Sequence, residues 1–565
     1  MINQRKLMLC FIMAAAIGLS FSCKKVVDGP GDGDGAKLDT AGSTFVDRLY
    51  DSLYMYASQT YYWNDQLPSY GDFSPRKFKN SDTLVGLASE QFQLTRYPKD
   101  GSGNLYEQLQ KPVYDANFNV VWQDDNSAPK YSYILRTSET VNGGASSFIG
   151  TGNKNTRFLK MTLDGKDSGL GFIPALVTIG KGQTYDNVKV SKDSTLCIIQ
   201  WVTNGSPAYT AGLRRGDLVS KINGKSYVNW TDADVDELNN AINAAQIQLT
   251  VRDGESGNKT KSLSFKTKLY DFNPIFKDTL INQGGKKIGY LAFQTFSSNA
   301  LDYLDDAFRN DLKGATDLVV DLRFNGGGYV YVAEHLINLI APSSANTKVM
   351  YRSIYNDAIT NKKAPILKNI PIDYEHPSEG SLGDVDFTQS DDNRNTTVKI
   401  DKSVDGKAGL SNLNHIYFIV SNGTASASEL TMNSLKPYLG VQLIGAAFGD
   451  DGDRTYGKPV GFFEIRFGDY SMWMPNFETR NSKNEGDYYQ GMPTDIQSFD
   501  DVAHDFGDPK EESFAEAIAR ITGSTTSAGV MDKFRSVKKS IIGARSVGQV
   551  IKTDKMVVKP VRFKK

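Results

Sequence analysis

The chain has 565 residues, 39% of them hydrophobic and 23% charged, which is enough for about three or four domains and too apolar for a disordered protein. Its 64 Lys/Arg against 65 Asp/Glu leave a formal net charge of -1, which argues against nucleic acid as a partner. A single long apolar run excludes a polytopic membrane protein, and 4 His with 3 Cys exclude zinc-finger arrays and disulfide scaffolds.

Arg5 and Lys6 precede a short apolar run over 7–19, and Ser20-Phe21-Ser22 leads into Cys23. That order is an export signal over 1–22. A Cys placed just after the apolar run resembles a bacterial lipoprotein signal. The resemblance implies acylation of Cys23, a lipid anchor in the membrane and a place in the bacterial cell envelope; an ordinary secretory signal cleaved nearby is the alternative. Once Cys10 and Cys23 are set aside, only Cys197 remains, so no intrachain disulfide is expected. Residues 23–43 are rich in Gly and Asp and lack apolar periodicity, which suits a flexible linker.

From 44 to about 70 the apolar spacing predicts a helix, followed within it by the aromatic patch Tyr61-Tyr62-Trp63. A second helix is expected over 84–94, then short strands over 131–135 and 158–163. Residues 44–165 therefore read as a mainly helical N-terminal cap domain. The aromatic patch is expected in its core, with a substrate groove as the other use.

Residues 166–268 are more legible. Gly169-Leu170-Gly171-Phe172 is followed by strands over 196–202 and 218–222, an Asn223-Gly224 turn, a helix over 232–245 capped by Thr231 and Asp234, and a strand over 247–252. Between the first two strands lies Ser206-Pro207-Ala208-Tyr209-Thr210-Ala211-Gly212-Leu213-Arg214-Arg215-Gly216-Asp217. This order resembles a bacterial PDZ domain, a small β-barrel that takes an extended peptide as an added strand. The resemblance makes Gly169, Leu170, Gly171 and Phe172 the loop that binds a peptide carboxylate.

Over 269–521, strand-like and helical runs alternate in a βαβα rhythm that implies an α/β domain. Residues 522–565 carry eleven Lys/Arg against two Asp and read as a peripheral basic tail, solvated or in contact with anionic lipid.

Two stretches of this α/β domain carry chemistry. In the first, the apolar run 318–320 ends in Asp321-Leu322-Arg323-Phe324-Asn325 and then Gly326-Gly327-Gly328, ahead of a helix. Without the Walker Lys-Ser/Thr or a Gly-x-Gly-x-x-Gly spacing, these glycines suit an oxyanion site better than a nucleotide. In the second, the run 416–420 enters Ser421-Asn422-Gly423-Thr424-Ala425-Ser426-Ala427-Ser428-Glu429 and a helix. Hydroxyls at such a turn can present a nucleophile or merely cap the helix. His415 lies at the far end of that strand, whereas Lys458, in Tyr456-Gly457-Lys458, can act as base if burial lowers its pKa.

Together with Ile288-Gly289-Tyr290 and Gly507-Asp508-Pro509-Lys510, these motifs resemble the C-terminal processing peptidases, serine peptidase family S41, over about 165–521. The resemblance implies a multi-domain α/β protein with a crotonase/ClpP-like peptidase core over 269–521. It implies Ser426 as nucleophile, Lys458 as base, and the backbone N–H groups of Ala427 and Gly327 as oxyanion donors. No metal or organic cofactor is implied, and the partners are protein or peptide substrates taken through free C-termini. An inactive relative that binds ligands, or a PDZ scaffold, is the alternative. Two departures stand out. Residues 447–454 lengthen the path from Ser426 to Lys458 and read as an exposed turn. Four residues after Lys458, where many members carry a Gln that orients the Lys, stands Phe462, and Glu464 is a candidate replacement for that role.

Overall fold

The computed structural model describes residues 43–114, 120–138, 164–182, 184–185, 188–189, 191–253, 259–374, 376–403, 409–447, 452–524 and 541–546. The export signal with Cys23, the linker and the expected strand over 158–163 lie outside the described residues.

The first helix, α1 (Phe45–Thr60), starts at a capping box between Thr44 and Asp47 and stops where Tyr61 turns extended. It is followed by α2 (Thr83–Leu94), capped by Asp82. An antiparallel hairpin, β1 (Leu109–Tyr114) with β2 (Val120–Asp125), comes next, and then β3 (Tyr133–Arg136). Its β3 pairs with Tyr470–Trp473 of the third unit, and Tyr50, Leu53 and Leu87 share one apolar cluster with Tyr456, Phe462 and Met472. The aromatic patch lies inside that seam. Tyr61 and Trp63 are buried, Trp63 stacks on Tyr106 at 4.5 Å, and the Tyr62 hydroxyl donates to Glu478.

The second unit contains β4 (Phe172–Ile179), β5 (Ser194–Val202), β6 (Leu218–Ile222), α3 (Asp232–Ile242), β7 (Gln246–Arg252) and β8 (Thr260–Lys266). The Asn223-Gly224 turn has both residues at positive φ, as a tight hairpin requires, and Thr231 and Asp234 form the expected capping box. The strands run β8-β7-β6-β5-β4 in one sheet. Among the described residues this sheet does not close into a barrel. Alternation along β4 commits both of its faces. Phe172 and Leu176 enter this unit's own core, while Ile173, Val177 and Ile179 pack toward the third unit.

The third unit is built on β9 (Ile275–Gln283), β10 (Lys286–Phe293), α4 (Ala300–Asp306), β11 (Asp317–Asp321) and α5 (Val330–Ile340). It continues through β12 (Val349–Tyr355), β13 (Thr397–Lys399), β14 (His415–Val420), α6 (Ala427–Leu435) and β15 (Val441–Ala447). It ends with β16 (Val460–Gly461), β17 (Ile465–Phe467), β18 (Tyr470–Trp473), β19 (Phe477–Asn481), β20 (Ile496–Phe499) and α7 (Glu512–Thr522). The main sheet has the order β9-β10-β11-β14-β15-β20, antiparallel at its first pair and parallel afterwards. Parallel strands need cover on both faces, and the alternation supplies it. Leu318, Val320 and Phe418 face α5 and α6, whereas Val319, Tyr417 and Ile419 face α7. A second sheet, β13-β12-β19-β16, was not foreseen from the sequence.

The tail departs from its reading as a peripheral extension. Ile541–Ser546 forms a strand, β21, that pairs antiparallel with β4 at the edge of the second unit's sheet. The turn read over 447–454 is also not wholly exposed, because Asp453 accepts from the Trp122 indole and Arg454 lies 4.0 Å from that ring.

Candidate active site

Ser426 stands between the end of β14 and the first residue of α6, with φ 61 and ψ -113. A non-glycine residue held there costs about 1–3 kcal/mol and persists only where its surroundings impose it. Here the surroundings are hydrogen bonds from the neighbouring hydroxyls. Ser421 donates to the Arg323 carbonyl at 2.6 Å, Thr424 to that of Leu322 at 2.8 Å, and Ser428 to that of Asn325 at 3.0 Å. Three hydroxyls of the turn therefore fasten it to the loop after β11. The Ser426 hydroxyl is buried and makes no hydrogen bond among the described residues, so it is the one left for chemistry.

That loop touches Ser426 directly. A Cβ on Gly327 would lie 2.8 Å from the Ser426 Cβ and 3.1 Å from the Ala427 nitrogen, and Gly327 has φ 109. Glycine is required on both counts. The Gly327 N–H donates to the Asn325 side chain at 2.9 Å, so it is engaged within its own loop. Ala427 is the first residue of α6, where a backbone N–H has no acceptor within the helix.

Lys458 is fully buried, two residues before β16. Its ammonium lies 4.7 Å from the centre of the Phe462 ring. Glu464, the candidate substitute for a Lys-orienting group, binds Arg466 at 2.9 Å and the Ser471 hydroxyl at 2.6 Å.

One group not singled out from the sequence joins the two segments. The Glu429 carboxylate accepts from the N–H groups of Ser426 (2.9 Å) and Lys458 (2.8 Å) on one oxygen, and from Gly457 (2.7 Å) and the Thr455 hydroxyl (2.5 Å) on the other. Burial pushes this carboxyl above its ordinary value, against the pull of those donors. Its place three residues after Ser426, at the capping-box position, was the available signal.

A second cluster lies behind the glycine loop. The buried Arg323 guanidinium binds Asp321 (2.6 Å), Asp500 (2.8 Å) and Glu511 (2.7 Å), and the Tyr290 hydroxyl donates to Asp321. Asp500 also pairs with Arg215 of the second unit and accepts from Gln200 at 3.1 Å. Burial works to raise the Asp500 carboxyl, but Arg215 and Arg323 outweigh it and hold the group low. Asp500 thus ties the second unit to the loop against which Ser426 packs.

Within the second unit, Leu170 and Phe172 are buried, the Gly169 N–H donates to Asp167, and Gly171 has φ 81 with no room for a Cβ beside Ser206. Ser426, Lys458, Ala427 and Gly327 are therefore assembled in one place. The Gly169–Phe172 loop belongs to a separate unit, joined to that place through Arg215 and Asp500. Among the described residues no group of three or more His, Cys, Asp or Glu is arranged to hold a metal ion.

Comparison with known proteins agrees with this division. Residues 287–473, which include Ser426 and Lys458, match the model of peptidase family S41, and residues 164–252 match that of the PDZ domain. The chain is 28% identical over 168 residues to a chloroplastic C-terminal processing peptidase of Tetradesmus obliquus, covering 28% of this chain and 35% of the relative. It is 28% identical over 156 residues to the carboxy-terminal processing protease CtpA of Bacillus subtilis, covering 27% and 32%. The chain thus spans about a third of the length of these relatives. A crystal structure of an S41 protease candidate from Bacteroides fragilis superposes with a TM-score of 0.52 at 19% identity, over 86% of this chain and 98% of that one, which speaks to the fold alone.

Proposed function

We propose that this chain, which carries a peptidase family S41 domain behind a PDZ domain, is a serine endopeptidase of the bacterial cell envelope, exported and anchored through Cys23. Ser426 attacks a peptide carbonyl while neutral Lys458 takes its proton. The N–H groups of Ala427 and Gly327 receive the oxyanion, which requires Gly327 to leave the Asn325 side chain. The C–N bond breaks as Lys458 returns the proton to the leaving amine, and an ester to Ser426 remains. A water, deprotonated by Lys458, then attacks the ester carbonyl; the C–O bond to Ser426 breaks as Lys458 returns the proton to the Ser426 oxygen, and the released acid ionises to solvent. The PDZ unit takes up the C-terminus of an exported protein and either presents the chain or gates the site.

The observation that carries this reading is the isolation of the Ser426 hydroxyl. Its neighbours are spent on backbone carbonyls, its backbone is held at a strained φ, and its N–H shares a carboxylate oxygen with that of Lys458. No Ser426–Lys458 hydrogen bond is formed here, as is common in unliganded sites that tighten only around substrate.

The test is hydrolysis of an unfolded protein by residues 38–565, beside Ser426→Ala and Lys458→Ala. Loss of cleavage in both variants, with folding retained, is the expected result. A wild-type chain that is inert on all substrates from pH 6 to 10 overturns the peptidase and leaves ligand binding on the same fold.

A further inference from the structure

We infer that Ile541–Ser546 is a tethered ligand of the chain's own PDZ unit, occupying the strand edge that a substrate tail must use. The inference rests on the proposed role of that unit in taking up peptides. It goes further in naming the segment that holds the edge beforehand.

The edge in question belongs to β4, which follows directly from Gly169–Phe172. Its other edge is paired with β5 from Phe172↔Val202 to Ile179↔Ser194. Its faces are filled by the PDZ core on one side and by the peptidase unit on the other. One row of backbone donors and acceptors is left, and a PDZ domain recruits a peptide through such a row. In this chain β21 lies on it, with Ile541 opposite Ile179, Ala544 opposite Val177 and Ser546 opposite Ala175.

Direction matters as much as position. The pairing is antiparallel, so the tail runs from the far end of β4 toward Phe172 and the Gly169–Phe172 loop. A peptide whose carboxylate sits in that loop must run the same way. The tail therefore stands in for a substrate strand instead of extending the sheet elsewhere. Among the described residues the pairing extends as far as Ala175, three positions from Phe172 and the loop.

The tether makes this self-occupation effective without high intrinsic affinity. Residues 523–540 connect α7 to β21. A linker of this length sustains an effective concentration on the order of 1 mM. A tail with an intrinsic dissociation constant of ~0.1 mM would then weaken an external peptide about tenfold. Covering the edge also shields an open β-strand from pairing with other chains.

The experiment uses residues 38–565 with Ser426→Ala, so that no probe is cleaved. A fluorescent ten-residue peptide with an apolar free C-terminus is titrated by anisotropy, with its C-terminal amide as control. Three chains are compared: the intact one, one ending at Ser524, and the intact one with Ala544→Pro and Arg545→Pro. Amides alternate in direction along a strand, so one of those two prolines removes a hydrogen bond to β4. The free-acid peptide should bind about tenfold more tightly to both altered chains. A synthetic peptide of residues 536–550 should bind the shortened chain and compete with the probe.

Equal probe affinity across the three chains overturns the inference. So does a shortened chain that loses the probe, because β21 would then be a fixed part of the sheet. If free acid and amide bind alike, the carboxylate-capture role fails instead. Binding of the 536–550 peptide to the shortened chain still supports self-occupation in that case, and its absence overturns it.

Discussion

The Lys458 ammonium rests against the face of Phe462, 4.7 Å from the ring centre. A buried ring face attracts a cation with about 2 kcal/mol. A ring face in that place favours the charged ammonium over the neutral amine that a general base requires.

That preference sets the first prediction. Phe462→Leu removes the ring and keeps the site apolar. The acidic limb of its kcat/KM profile should move down by about 1 pH unit, since 1.36 kcal/mol corresponds to one unit. A profile superimposable on wild type, in a variant of unchanged Tm, would show that the ring has no hold on the base.

Gly327→Ala tests the contact between the glycine loop and the nucleophile. Its Cβ would meet the Ser426 Cβ at 2.8 Å and require a φ of 109. The loop must shift, which takes an oxyanion donor out of line, and removal of one such donor lowers kcat by about 10²–10³. Peptide binding at the PDZ unit should be unchanged. Activity within a factor of about two of wild type would place the oxyanion elsewhere.

Arg215→Met breaks the charge cluster on its PDZ side. Removing one partner of a buried pair costs about 3–5 kcal/mol, which should appear as a marked fall in Tm. The pH dependence has a definite sign. Asp500 is held low in the folded chain, so its stabilisation is full above the ordinary carboxylate range, ~3.9, and is lost as pH falls through the folded value. Without Arg215 the folded value rises, and the acid-unfolding midpoint should move to higher pH. An unchanged midpoint would mean that Arg323 alone suffices.

Glu90 gives a contrasting case. It is buried in α2, neither carboxyl oxygen has a hydrogen-bond partner among the described residues, and burial pushes its pKa well up. The folded chain therefore holds a proton that the unfolded chain releases near its ordinary value. Stability is full below that value and falls as pH rises toward the folded one. Glu90→Met should stabilise the chain at pH 8 by about 1–3 kcal/mol, with a smaller gain at pH 5. Denaturant titrations at the two pH values check this; a gain independent of pH would exclude the carboxyl as its source.

Features set by neighbours in the chain were legible before any fold was known. The Thr231–Asp234 capping box, the Asn223-Gly224 hairpin turn and the apolar run that ends at the Ser426 turn each follow from backbone geometry and side-chain period over a few residues. The motif resemblance likewise pointed to Ser426 and Lys458. Contacts between distant segments were not legible. No local period shows that Glu429 binds the Lys458 N–H, that Asp500 pairs with both Arg215 and Arg323, or that the N-terminal aromatic patch seals a seam against Phe462. The tail is the clearest instance. Residues 522–565 look basic and peripheral in composition, yet Ile541–Ser546 becomes a strand because β4 has one unpaired edge. A strand takes its partner from whichever backbone donors and acceptors remain unsatisfied, and that is settled only once the rest of the chain has packed.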